Sequence, residues 1–301
     1  LPRRRAAEIG GPAVTEIYTF DYGPGEDPRQ RLDVFAPDPP TDLRAAVLVL
    51  HGGAFRRGDR TDVHSRCRAL AARGITAIAV GYRLLDSAAW PAPLDDARAA
   101  LRWTHEHADE LGVDAGRIVL QGHSAGAQLA LIVAGTAGRD EAAALGDPAP
   151  APAAAIAYYA PAALSLTPGP GELPAQQVLG PDATTDAAAA ASPIHHVDEH
   201  YPPTVLVHGT GDRFIPPVTS LCLFDALTSA GVISELHLIA RQDHEFDTTP
   251  RYTESSANLV VEFLRAQVLE PDQVAKEVLE GNPLASMPPP GGEPGRTGEH
   301  T

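Results

Sequence analysis

The chain predicts an α/β fold: a mostly parallel central sheet with helices on both faces and a small cap insertion. Three observations carry this expectation. Short continuous apolar runs recur, as in Val47–Leu50 and Ile75–Val80, and such runs mark strands buried on both faces. Helix-like stretches alternate with them, which argues a parallel sheet covered on both sides. One proline-rich stretch, 161–201, breaks the alternation.

Taken in order, Val14–Tyr22 alternates apolar and polar side chains and predicts an antiparallel edge strand. Gly23–Pro28 is a turn cluster. Arg31–Ala36 is a second strand, stopped by the prolines between Pro37 and Pro40. Val47–Leu50 follows as a buried strand. Val63–Arg73 reads as a helix, capped by Thr61 or Asp62 and closed by Gly74. Ile75–Val80 is the next strand, and Leu94–Glu110 a long helix. Arg117–Leu120 and Ala153–Tyr159 are strands, with a helix-like run from Ala127 to Ala134 between them. The 161–201 insertion carries short helical pieces, including Asp186–Ala191, and is long enough for a small cover. Pro203–Gly209 and Glu235–Ala240 are the last strands, separated by a helix over Pro217–Ala230. Thr253–Val268 is a terminal helix. Residues 282–301 are Pro/Gly-rich with little apolar content and are expected to form a disordered tail. Residues 1–281 are read as one domain, because these strands make one continuous sheet.

The chain has 301 residues and a formal net charge of −16. That charge disfavours nucleic acid and anionic membranes as partners. Only two cysteines occur, Cys67 and Cys222, so a disulfide framework is not expected. No apolar stretch reaches membrane-spanning length. The expected location is cytoplasmic, with secretion of a processed form as the alternative. No metal-ligand spacing, dinucleotide fingerprint or phosphate loop occurs, and no cofactor or metal is expected.

Gly122-His123-Ser124-Ala125-Gly126 is a G-x-S-x-G pentapeptide lying between a predicted strand and a predicted helix. That context suits a sharp turn that exposes the serine hydroxyl. A free serine is a poor nucleophile and needs an adjacent base. Of twelve histidines, only His244 lies just after the last predicted strand. Asp212 lies just past another strand end, placed to orient that histidine. Asp243 is its rival, but adjoins His244 in sequence, which makes the geometry difficult. His51-Gly52-Gly53-Ala54-Phe55 ends the Val47–Leu50 strand, and its glycines can turn backbone N–H groups toward the serine.

The order Ser124, Asp212, His244 and these motifs resemble an α/β-hydrolase of the esterase/lipase group with an H-G-G loop. The nearest types are bacterial carboxylesterases, acetyl or feruloyl esterases, and the related kynurenine formamidases. The resemblance covers residues 14–268. Further landmarks are Arg31–Phe35, Gly81–Leu84, Trp90–Ala92, Asp95–Asp96, Ser192–Pro193 and His208–Asp212. The chain departs from hormone-sensitive-lipase-like relatives at Ala54 and His123, where those usually carry a third glycine and an acidic residue. The resemblance implies a nucleophile at Ser124, a base at His244, an orienting acid at Asp212, and oxyanion donors among Gly53, Ala54 and Ala125. His51 is expected to tie down the oxyanion loop, and Arg83 to fix a loop.

Phe55, Trp90, Phe214 and Phe246 each adjoin a motif and are candidates to line an apolar substrate pocket. The expected function is hydrolysis of short-chain or aryl carboxylic esters through an acyl-enzyme, with a small-molecule ester as partner. An arylformamidase, or a cyclase or lyase on the same fold, is the alternative.

Overall fold

The structure, a computed structural model, describes residues 4–5, 17–23, 27–138, 149–282 and 284. In chain order the elements are β1 (Arg4–Arg5), β2 (Ile17–Asp21), β3 (Arg31–Phe35), β4 (Ala45–Leu50), α1 (His64–Ala71), β5 (Ile75–Val80), α2 (Ala92–Glu106), α3 (Ala108–Leu111), β6 (Ile118–His123), α4 (Ala125–Thr136) and β7 (Ala155–Tyr158). There follow β8 (Ala163–Ser165), β9 (Glu172–Pro174), α5 (Gln176–Leu179), α6 (Thr185–Ala190), β10 (Thr204–Gly209), α7 (Val218–Ser229), β11 (Ser234–Ile239), α8 (Pro250–Leu264) and α9 (Pro271–Gly281).

Among the described residues, nine strands form one sheet in the order β1-β2-β3-β5-β4-β6-β7-β10-β11. From β5 to β11 every pairing is parallel. The pairings of β1, β2 and β3 are antiparallel, as is that of β3 with β5. The continuous apolar runs have a direct cause. Alternate residues of β4 enter opposite cores: Ala46, Leu48 and Leu50 pack toward α2 and α4, while Ala45, Val47 and Val49 pack toward α1 and α8. A strand covered on both sides cannot carry a polar face. Leu223 and Leu227 of α7 join Leu131 of α4 in a third core cluster, together with β7 and β10.

The parallel arrangement positions the site. Register pairs Leu50 with Gly122 and Gly209 with Ile239, so β4, β6, β10 and β11 end at one edge of the sheet. The segments following them, His51–Phe55, Ser124, Asp212 and His244, therefore emerge together. Open parallel sheets bind ligands at this carboxyl edge.

Several expectations need correction. β2 is not the edge strand, because β1 pairs outside it. The helix at α1 is preceded by a 3-10 turn, Arg60–Val63, capped by Asp59; the Asp59 and Asp62 carboxylates each accept from the other end of that turn. Neither Thr61 nor Asp62 is the cap. The long helix over Leu94–Glu110 is two helices, α2 and α3, separated at His107. The terminal helix turns π-helical over Arg265–Leu269, and α9 follows, an element the sequence reading did not foresee. Within 161–201 lie two short paired strands, β8 and β9, beside the foreseen helical pieces. Apart from 282 and 284, the expected tail lies outside the described residues, as do 14–16 of the first predicted strand and 24–26 of the turn cluster. No helix among the described residues is long and apolar enough to cross a membrane.

Candidate active site

Between β6 and α4 the chain turns on one residue. Ser124 has φ 54° and ψ −118°, a region non-glycine residues avoid at a cost of about 1–3 kcal/mol. The turn is held by flanking bonds. The Ser124 N–H donates to the Tyr158 carbonyl at 3.0 Å, and its carbonyl accepts from Ala127 and Gln128 at 2.9 and 3.1 Å. A Cβ at Gly122 would collide with the Gly126 carbonyl, and one at Gly126 with the His51 and Leu50 carbonyls. Both glycines are thus required by close backbone approach rather than by φ.

The structure brings the three sequence-predicted side chains into line. The Ser124 hydroxyl lies 2.9 Å from His244 Nε2, and His244 Nδ1 lies 2.7 Å from Asp212 Oδ2. The carboxylate accepts only, so Nδ1 carries the proton and Nε2 is free to accept from serine. The Asp212 side chain is fully buried. Its Oδ1 accepts from the N–H groups of Phe214 and Ile215, both at 2.9 Å. Burial alone would raise its pKa; bonds from His208, His244 and those two amides overcome it and hold Asp212 well below the usual carboxylate range. Asp243 is turned away, paired with exposed Arg213 at 2.6 Å. It does not compete for the imidazole.

His208 was not singled out for a role by sequence. Its Nε2 lies 3.3 Å from Asp212 Oδ2 and 2.9 Å from the Ile215 carbonyl, and its Nδ1 lies 2.7 Å from the Ser220 hydroxyl. The one signal available was a histidine inside the apolar run of β10, four residues before Asp212.

Three consecutive residues of the oxyanion-type loop have positive φ: Gly53 at 116°, Ala54 at 52° and Phe55 at 60°. Its bends are fixed from both sides. Arg56 and Arg57 N–H groups return to the Gly53 carbonyl, and Leu85 N–H donates to the Phe55 carbonyl. His51 stacks on Tyr82 with centroids 4.2 Å apart, while the Tyr82 hydroxyl donates to the His51 carbonyl. Burial lowers the His51 pKa, keeping the ring neutral. Among the described residues, the N–H groups of Gly53 and Ala54 have no backbone acceptor. Ala125 N–H opens α4 and is one of the donors a helix start leaves unpaired.

A buried polar network lies under the site. Asp247 is bound by Arg66 Nε at 2.6 Å, the Tyr159 hydroxyl at 2.5 Å and His123 Nδ1 at 3.1 Å. It joins α1, the elbow and the segment carrying His244, and the Tyr159 ring lies 4.5 Å from the His244 imidazole. Burial, reinforced by Arg66, pushes His123 down to about 4. His123 is therefore a neutral buried ring, and it does not line the pocket that Ser124 lines. Burial would raise Asp247, but His123 and Arg66 hold it well below the carboxylate range. Arg66 had a legible signal. Val63, Arg66, Cys67 and Leu70 share the buried face of their helix by spacing, and a lone charge there demands a partner.

Beside Ser124 opens a pocket of about 190 Å³, lined by Ala54, Phe55 and Ala125 from the body and by Leu164, Leu173 and Val178 from the insertion. Of the four aromatic candidates, Phe55 lines it. Trp90 does not; it packs edge-on behind Phe55 at 5.7 Å. Phe246 is a core residue against Tyr159 and Tyr252, because its segment turns inward after His244. Phe214 is 68 % exposed and lies 5.6 Å from His244, outside the pocket lining. Asp96, one of the landmark residues, is the buried anchor of Arg83 at 2.7 Å and of Gln30 at 2.8 Å. Among the described residues, no group of three or more His, Cys, Asp or Glu is placed to hold a metal.

The family model described as BD-FAE matches residues 32–227. An ethyl acetate hydrolase of Pseudomonas putida is 43% identical over 98 residues, covering 32% of this chain and 31% of that protein. Esterase LipQ of Mycobacterium tuberculosis is 29% identical over 245 residues, covering 75% of this chain and 56% of that protein. The chain thus spans about a third to a half of these relatives. Among solved structures, the butyrate-bound thermophilic esterase Est2 of Thermogutta terrifontis matches with a TM-score of 0.69 at 28% identity, over 82% of this chain and 92% of its own. The same esterase phosphonylated by sarin matches with a TM-score of 0.70 at 26% identity, over 85% and 97%. The fold is that of the α/β-hydrolases.

Proposed function

The chain belongs to the BD-FAE family, and on that premise we propose that it is a serine hydrolase of carboxylic esters, with Ser124 as nucleophile, His244 as base and Asp212 as orienter. The observation that carries this reading is the continuous line of hydrogen bonds from Ser124 through His244 to Asp212, at 2.9 and 2.7 Å. His244 Nε2 takes the serine proton as Oγ attacks the ester carbonyl. Asp212 stabilises the imidazolium without itself becoming protonated. The developing oxyanion is met by the N–H groups of Ala54 and Ala125, with Gly53 as a further candidate; one such donor contributes about 3–4 kcal/mol to the transition state. His244 then protonates the departing alcohol, and water, activated by the same imidazole, releases the acid from Ser124.

The pocket of about 190 Å³ supports short-chain or aryl acyl groups. A formyl group would leave it empty, which disfavours the formamidase alternative. The reading treats residues 1–281 as one catalytic domain, with 161–201 as a partial cover, acting on small-molecule esters in the cytoplasm without a cofactor. The test is labelling with an organophosphonate, followed by mass spectrometry. One adduct on Ser124, lost in Ser124→Ala together with ester turnover, is the expected result. An unlabelled Ser124 in a chain that still hydrolyses esters would overturn it.

A further inference from the structure

Apart from the Ser124 hydroxyl itself, the pocket is apolar inside except at one place. Gln128 lies one helical turn beyond Ser124 on α4, and its side chain is 1 % exposed. Ser124 stands at the N-cap, outside the helix proper, and both residues line the same pocket. Gln128 Nε2 donates to the Ala191 carbonyl at 2.7 Å. A carbonyl cannot donate, so this bond fixes which end of the amide faces the insertion and leaves Oε1 on the other side. Among the described residues Oε1 has no hydrogen-bond partner, although Gln128 lines the pocket. Besides Ser124, the other polar side chains lining it are Arg56 and Gln177, both exposed, and the Arg56 guanidinium donates to the Gln177 carbonyl.

The pocket takes the acyl part of the substrate rather than the alcohol. The leaving oxygen must lie within reach of His244 Nε2, and His244 does not line this pocket, whereas Ala54 and Ala125 do. An acceptor that lines a pocket without a partner is covered when an occupant enters, which penalises an occupant that is apolar throughout and favours one that brings a donor. We propose that Gln128 is a specificity-determining residue that selects acyl groups bearing a hydroxyl near the third carbon, the hydroxyl donating to its Oε1. This rests on the esterase reading above and adds the class of acyl group. The insertion takes part at a distance. Ala191 closes α6, and the neighbouring Ser192 hydroxyl donates to the Ala188 carbonyl at 2.6 Å and accepts from Leu164 N–H at 2.8 Å. One junction therefore pins both Gln128 and a pocket wall.

The experiment compares p-nitrophenyl 3-hydroxybutyrate with p-nitrophenyl 3-methylbutyrate, in which a methyl group of similar size replaces the hydroxyl. The purified full chain should show a kcat/KM ratio of roughly ten in favour of the hydroxylated ester, as expected for satisfying one buried acceptor. In Gln128→Met that ratio should fall to one or below. A wild-type ratio at or below one overturns the proposal, and so does a Gln128→Met enzyme that keeps the wild-type ratio. Should the variant not fold, inhibition of the wild type by the two free acids gives the second reading: 3-hydroxybutyrate must inhibit more tightly than 3-methylbutyrate, and the reverse order sinks the idea. Failure of the esterase reading looks different, since neither ester would then be turned over and Ser124 would stay unlabelled.

Discussion

Ser124 stands in a backbone conformation that only its neighbours make tolerable, and the residue scale is where the site is most brittle. Replacing Ser124 by alanine should lower kcat/KM for a short-chain p-nitrophenyl ester by roughly three orders of magnitude or more while leaving the far-UV spectrum intact. A variant keeping a tenth of wild-type activity would remove Ser124 from its proposed role. Gly126→Ala should act on the fold instead. The new Cβ meets two carbonyls of the β4 end, neither of which can retreat without breaking the loop. A destabilisation of about 1–3 kcal/mol in urea is expected, as for other overpacked sites. Asp247→Asn leaves the Arg66 guanidinium buried against a neutral amide. Breaking a buried pair in this way costs about 3–5 kcal/mol. A midpoint unchanged from wild type would show that the network under the elbow holds nothing together.

At the scale of elements, the 161–201 insertion decides what fits. Residues from β8, β9 and α5 close one side of the acyl pocket through Leu164, Leu173 and Val178. A pocket of about 190 Å³ should favour acetate and butyrate esters over a sixteen-carbon ester. Each further methylene gains about 0.8 kcal/mol only while it can be buried, and there is no room to bury a long chain. Val178→Ala should move the optimum toward longer acyl chains, read as the ratio of kcat/KM for hexanoate over acetate. A hexadecanoate ester turned over faster than butyrate would require a tunnel through the insertion instead.

Across the whole molecule, pH reports the buried charges. His123 has its pKa lowered to about 4 by burial, against about 6.5 for an unperturbed histidine. Between these values the unfolded chain binds a proton that the folded chain refuses, so stability falls as pH drops from about 6.5 to about 4. Asp212 and Asp247 are depressed in the folded state. Their contribution is present above the unfolded carboxylate pKa of about 3.9 and is lost only as pH falls below it. Thermal midpoints should therefore decline in two stages on acidification, and His123→Gln should flatten the first stage and keep the second. A midpoint in that variant with the wild-type slope between pH 7 and 4.5 would exclude His123 as a source of the first stage.

The sequence by itself determined the architecture and the order of the site. Short apolar runs between turn signals read as strands covered on both faces, and parallel strands end together at one edge. Ser124, Asp212 and His244 were legible because each lies within a few residues of a strand end, so local patterning alone carried them to the same edge. The side chains that face each other from distant segments were not legible. Arg66 and Asp247 are 181 positions apart, and Gln128 and Ala191 are 63 apart. Nothing local to either partner names the other. The same limit applied to the aromatic residues. Phe55 and Phe246 each adjoin a motif, yet one lines the pocket and the other fills the core, because the direction in which each loop turns is set by what packs beneath it. Strand ends are fixed by short-range periodicity. Which way a loop folds back, and which buried polar atom finds a partner, is decided only when the layers close.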